Sequence, residues 1–164
     1  AYRSIGINRN DFMSLIQMRP EGGTAYGTLE WVAYASNAFN TMVPFYADVD
    51  ETPEYLANTT GEVSTENFYW TSRMIAAMAD ASYGKSLFHV EHYQENVLAK
   101  SHALINQYDA LLADEKDPEK QMELKRKANR KVAEMVQKEA SATLKKVLYE
   151  LSNQMKNSYA RSDV

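Results

Sequence analysis

Up to about residue 50 the apolar side chains come in short runs between turn residues, and from residue 65 they recur every three or four positions. The first regime predicts strands and the second predicts helices. Phe12-Met13-Ser14-Leu15-Ile16-Gln17-Met18 is a run of large apolar residues stopped by Pro20 and Glu21-Gly22-Gly23. Leu29 to Ala35 is a second run, with Leu29, Trp31, Ala33 and Ala35 on one face. Gly22, Gly23 and Gly27 between the two suggest a long hairpin connection. A third run, Met42 to Tyr46, contains Pro44, which demotes it to an edge strand or an extended loop.

Thr65 as N-cap and Gly84 as stop bracket a helix over Glu66–Ser82. Trp70, Met74, Ala77, Met78 and Ala81 make one stripe on it, with Phe68 and Ile75 on another side. A helix apolar on more than one side is expected to be central. After the first turn its only charges are Arg73 and Asp80. A second helix is predicted from about Phe88 to Leu112. Its stripe is Val90, Tyr93, Val97, Leu104, Tyr108 and Leu111, widened by Leu98, Ile105 and Leu112. Asp117 caps a third helix that starts at Pro118 and runs to about Met155. Its seam is Val132, Val136, Ala140, Leu144, Val147, Leu148, Leu151 and Met155, and its first two turns are almost wholly polar. Those turns are expected to project beyond the core, with Glu123–Lys127 and Glu134–Lys138 as i,i+4 pairs on the wet face. The short Asp114–Asp117 connector makes the last two helices a long antiparallel αα-hairpin. The expected class is α+β: short antiparallel strands in the N-terminal third, then three helices. The chain reads as a single domain or fragment, strand-rich over residues 1–50 and helical over residues 65–158.

The 164 residues suffice for one ordinary domain, and 45% hydrophobic with 24% charged residues is globular composition. No run is long and apolar enough to span a membrane. There is no cysteine, which excludes disulfides, thiolate metal sites and a cysteine nucleophile within these residues. The net charge of −4 argues against nucleic acid as the default partner. It is uneven: residues 1–114 hold 6 basic and 14 acidic side chains, residues 115–164 hold 12 and 8.

Three stretches invite chemical readings. His89-Val90-Glu91-His92 with Glu95 has the spacing of a metal half-site. His92, Glu95 and His102 should nevertheless face solvent, and no second ligand cluster completes the coordination. No metal or cofactor is expected. Lys120, Lys125, Arg126, Lys127, Arg130 and Lys131 could grip phosphates, but acids interrupt them and no aromatics interleave, so a solvated helix face accounts for them better. Asn58-Thr59-Thr60 fits the glycosylation pattern and reads as a turn. The richest chemistry lies from Trp31 to Val49, where Tyr34, Phe39, Phe45 and Tyr46 surround Asn37, Asn40 and Thr41. Such a loop can line a pocket whose amides donate to a carbonyl or oxyanion, or it can be a turn anchored by aromatics.

The segments Tyr2–Arg9, Ile16–Pro20, Glu30–Asn37, Val43–Val49, Phe68–Trp70, Arg73–Ala77 and Asn157–Asp163 closely resemble, in order, the dipeptidase A family of bacterial cysteine peptidases. The likeness is strongest to the dipeptidases of lactic-acid bacteria. It implies an N-terminal-nucleophile (Ntn) hydrolase with an αββα sandwich. In such enzymes the first residue of the mature chain is a cysteine whose own amino group shuttles the proton during cleavage of dipeptides. This sequence begins Ala1-Tyr2 and has no cysteine, so it is expected to be a C-terminal portion, inactive alone, whose nucleophile lies in the missing N-terminal portion. No catalytic residue can be carried over; Asn37, Asn40 and Arg9 are the candidates for substrate-facing or supporting roles. The resemblance also implies a bacterial cytoplasmic protein acting on dipeptides, with the rest of its own polypeptide as partner and a homo-oligomer as a further expectation, and neither nucleic acid nor membrane. Two other classes stay open: a stand-alone helical interaction module using the αα-hairpin, and an anion or nucleic-acid binder using Lys120–Lys131.

Overall fold

The computed structural model describes Ile7 and residues 10–155. Three strands, β1 (Phe12–Met18), β2 (Thr28–Tyr34) and β3 (Val43–Tyr46), form an antiparallel sheet in the order β1-β2-β3. The β1–β2 connection is the long one expected. A 3-10 turn, Pro20–Gly22, runs into a single helical turn, α1 (Gly23–Tyr26). Gly27 is required there, because a Cβ on it would clash with the Gly23 carbonyl oxygen. A short helix α2 (Glu54–Ala57) precedes α3 (Phe68–Ala81), α4 (Tyr83–Asp114) and α5 (Pro118–Ser152). The fold is thus α+β.

Register separates the two faces of the sheet. Leu29 pairs with Tyr46, and Val32 with Val43. The Leu29/Tyr46 face packs on Ile105, Tyr108 and Leu112 of α4. The opposite face, through Val32, Val43 and Phe45, joins Tyr55, Phe68 and Ile75 in the larger core, which Val132 and Val136 of α5 complete. β3 is an edge strand despite being buried throughout. Pro44 fits because the Tyr46 N–H and C=O point away from β2, and two residues earlier the missing N–H points the same way.

The helices depart from their sequence reading in several places. The cap of α3 is Asn67, whose side chain accepts from the Trp70 N–H at 2.9 Å; Thr65 instead offers its carbonyl to the Thr71 hydroxyl. The buried face of α3 is Phe68, Thr71, Ser72, Ile75, Ala76 and Ala79, not the Trp70–Ala81 stripe, in which Ala77 and Ala81 are exposed. Packing from three sides selected the face that lets neighbours approach closely through small residues. Gly84 stops nothing. The chain breaks at Ser82 (φ −128°, ψ 32°) and α4 starts at the next residue. The Ser82 hydroxyl at this bend bonds the Met78 carbonyl at 2.7 Å and the Ser86 hydroxyl at 2.5 Å.

On α4 the buried row is Val90, Tyr93, Val97, Ser101, Ile105, Tyr108 and Leu112, while Leu98 and Leu111 lie outside it. A 32-residue helix keeps one partner along its length only if its contacts follow its own 3.6-residue turn, so Ser101 takes a position a leucine stripe would miss. Helices α4 and α5 form the expected antiparallel hairpin, tied by Lys100–Glu139 at 2.6 Å. The cap at Asp117, accepting from the Glu119 N–H, is as expected. Leu148 and Met155, placed in the α5 seam by periodicity, are exposed. The polar start of α5 projects only briefly, since Lys125, Ala128 and Asn129 are buried. None of the described helices is long and apolar enough to cross a membrane.

Candidate active-site cleft

The chain reverses direction after β2 at Ala35, whose φ of 70° lies in the left-handed region that non-glycine residues rarely occupy. Three contacts hold it there. The Ala35 N–H donates to the Asp11 carbonyl at 2.9 Å, the Asn40 amide donates to the Ala35 carbonyl at 3.1 Å, and the Gln94 amide anchors the Asn40 carbonyl at 2.7 Å. Strain held this firmly by its surroundings is characteristic of functional sites.

The turn forms one wall of a cleft of about 500 Å³, the size of a small-molecule site. Asp11 at the head of β1, Ser36 and Phe39 of the turn, and Arg73 and Asp80 of α3 line it. Arg73 is its cation. Its Nη1 donates to Asp11 Oδ1 at 2.5 Å and to the Tyr69 hydroxyl at 3.2 Å, and its guanidinium lies 5.6 Å from the Tyr69 ring centroid. Both bonds use Nη1. A second acceptor, such as a carboxylate or a polarised carbonyl, would find the remaining edge of the fork, since guanidinium recognition is bidentate by preference. Asp80, seven residues on, brings a carboxylate to the same cleft. One guanidinium flanked by two carboxylates suits a small ligand that carries both charges.

Of the residues singled out from sequence, Asn40 is buried and supports the Ala35 turn with its amide. Asn37 is exposed on the same turn, between the cleft-lining Ser36 and Ala38. Arg9 lies outside the described residues. Sequence reasoning did not assign Asp11, Arg73 or Asp80 to a site. A signal was present, however: Arg73 and Asp80 are the lone charges of an otherwise uncharged helix, two turns apart on one side.

The other chemical stretches resolve into packing and ion pairs. His89 contacts Glu150 at 3.4 Å, His92 lies against Phe88, and His102 against Trp31, so the three histidines face different neighbours. In the basic stripe Lys125 is buried against Asp48 and the Thr24 carbonyl. Arg126 grips Asp50 bidentately at 2.7 Å, and Arg130 grips Glu51 at 2.9 Å and 3.0 Å. Glu123 bonds both arginines, and Lys131 bonds Glu134, in place of the expected Glu123–Lys127 and Glu134–Lys138 pairs. With their cations engaged this way, these residues form a brace between α5 and the loop after β3.

Residues 1–96 match the family model described as peptidase family C69, and the chain belongs to that family. It is 41% identical over 164 residues to a probable dipeptidase A of Streptococcus pyogenes serotype M18, covering 99% of this chain and 33% of that protein. It is 35% identical over 200 residues to a dipeptidase of Bifidobacterium longum, covering 99% of this chain and 37% of that protein. A dipeptidase A of Lactobacillus helveticus is 30% identical over 108 residues, or 66% of this chain and 23% of that protein. The chain therefore spans about a third of the length of the relatives that match nearly all of it.

Proposed function

We propose that the intact protein is a dipeptidase of the N-terminal-nucleophile type, and that these 164 residues are its C-terminal, substrate-site-supporting portion. The observation that carries this reading is the Arg73–Asp11–Asp80 cleft at the strained Ala35 turn, in a chain of peptidase family C69. Its volume suits a dipeptide, and its mixed charges suit a zwitterion. Arg73 takes the substrate's α-carboxylate on the open edge of its guanidinium while Asp11 and Tyr69 hold the other. Asp80 offers a partner for an ammonium.

The reaction itself needs a nucleophile from outside this sequence, which contains no cysteine. An N-terminal cysteine passes its thiol proton to its own α-amino group, and the sulfur attacks the peptide carbonyl. The C–N bond breaks as that proton moves to the leaving amine. Water then attacks the thioester and releases the second amino acid along with the free thiol. The 164 residues alone are accordingly inactive.

The test is made in the intact enzyme with a dipeptide and its C-terminal amide, which lacks the carboxylate. Arg73→Ala should lower kcat/KM for the dipeptide by about 10- to 100-fold, the equivalent of one charge-assisted contact, and leave the amide nearly unaffected. Arg73→Lys should recover some of the loss. Equal losses on both substrates, or none on either, would remove Arg73 from carboxylate recognition. Dipeptide hydrolysis by the 164-residue chain at the rate of the whole enzyme would overturn the division of labour.

A further inference from the structure

The two edges of the sheet are treated in opposite ways. At β3 the outer edge is closed: Pro44 has no N–H to offer, and both outward backbone groups of Tyr46 are taken by the Asn129 side chain at 2.8 Å and 3.0 Å. At β1 none of the described residues closes the edge. The strand Phe12–Met18 carries no charge and no proline, the usual devices that keep an edge from pairing. Its partner β2 occupies one side only.

Register identifies which β1 groups are left over. Tyr46 points its N–H and C=O away from β2, so its partner Leu29 points its own toward β1, as do Trp31 and Ala33. Their β1 partners Gln17, Leu15 and Met13 are the inward-bonded residues. The Ala35 N–H to Asp11 carbonyl bond continues the same alternation. Phe12, Ser14, Ile16 and Met18 therefore direct their backbone N–H and C=O outward.

The side chains of β1 repeat the pattern of an unpartnered strand. Phe12, Leu15, Ile16 and Met18 are 54%, 51%, 56% and 79% exposed, and they lie on both faces, Leu15 on the side of Trp31 and the others on the side of Val32. A strand apolar on both faces is built to have both of them covered by further parts of a protein.

We propose that β1 is an internal strand of a larger sheet in the intact protein, paired along its outer edge with a strand from the portion of the polypeptide that these 164 residues do not span. The occupant follows from length: the relatives that match 99% of this chain are about three times as long, so most of their polypeptide lies elsewhere. A strand from it supplies acceptors for the Ser14 and Ile16 N–H groups and covers Phe12, Ile16 and Met18. This rests on family membership and the sheet geometry, and is independent of the reaction proposed above.

Hydrogen exchange on the intact protein tests it, resolved to single amides. The Ser14 and Ile16 amides should exchange at least about 100-fold more slowly than free amides, matching the inward-bonded Leu15. That protection should persist unchanged over an about hundredfold dilution, because the partner strand is in the same molecule. A photo-crosslinking residue at Ile16 should join it to a peptide outside these 164 residues within one polypeptide. Fast exchange at Ser14 and Ile16 would overturn the proposal. Protection that disappears on dilution, with crosslinks between β1 strands of two molecules, would overturn it in favour of a second copy at this edge.

Discussion

The side-chain amide of Asn129, in the middle of α5, bonds both backbone groups of Tyr46, accepting from its N–H at 2.8 Å and donating to its carbonyl at 3.0 Å. One asparagine thus stands in for a neighbouring strand, and both residues are buried. Asn129→Ala should cost about 2–4 kcal/mol in urea unfolding of the intact protein, since it strands a donor and an acceptor together. A change below about 0.5 kcal/mol would mean that the β3 edge does not depend on this contact.

Lys125 and Asp48 make an unequal pair. The ammonium side is 4% exposed and the carboxylate side 49%. Removing Asp48 leaves a buried charge with only the Thr24 carbonyl, whereas removing Lys125 leaves a carboxylate that water can reach. Asp48→Ala should therefore destabilise more than Lys125→Met, by about 1–3 kcal/mol in thermal or urea unfolding. The reverse order would contradict the burial argument.

Acid should loosen the brace between α5 and the loop after β3. Hydrogen bonds from Arg126 hold the Asp50 carboxyl below its usual range, and bonds from Arg126 and Arg130 do the same for Glu123. A carboxylate with a lowered folded-state pKa stabilises the fold above its unfolded pKa, and that contribution is lost as pH falls through the folded value. Melting temperature should drop below about pH 4. Arg126→Gln should flatten that drop, and salt should weaken it, because these groups are solvent-accessible. An identical acid profile in the variant would separate acid sensitivity from these pairs.

Asn37 and Asn40 should divide between chemistry and support. Asn40→Ala removes the bond to the Ala35 carbonyl and should cost about 1–2 kcal/mol of stability in the intact protein. Asn37→Ala should lower kcat/KM about tenfold if its side chain reaches the reacting carbonyl. Unchanged kinetics would assign Asn37 to the turn alone.

High-pH unfolding should report the tyrosine core. Burial pushes the Tyr55 hydroxyl up to about 12, and that of Tyr93 well above its ordinary value. A raised folded-state value stabilises the fold fully below the unfolded pKa and is lost as pH rises through the folded value. Stability should decline from about pH 10 upward, and Tyr55→Phe should reduce the slope. A slope equal to that of the unsubstituted protein would exclude Tyr55 as a source.

How much was legible depended on range. The runs Phe12–Met18, Leu29–Ala35 and Met42–Tyr46 lie within a residue or so of the strands, because alternation and turn residues act locally. Asp117-Pro118 located the start of α5 for the same reason. Which face of α3 is buried was not legible. Two apolar faces were on offer, and the choice between Ile75 and Met74 depended on what packed against them. The cleft was half legible: the loop around Asn37 drew notice for its residue types, while Asp11 and Arg73, 62 positions apart, meet only once β1 lies beside α3.

Sequence by itself determined the three strands and the three long helices, their order, the family, and the absence of a cysteine nucleophile from these residues, since each is a property of neighbours along the chain. Tertiary structure alone decided that Arg73 faces Asp11, that Lys125, Arg126, Arg130 and Lys131 of the basic stripe pair with Asp48, Asp50, Glu51 and acids of their own helix, and that among the described residues one sheet edge is sealed and the other open. Those outcomes depend on distances between residues far apart in sequence, and such distances are set by packing rather than by local preference.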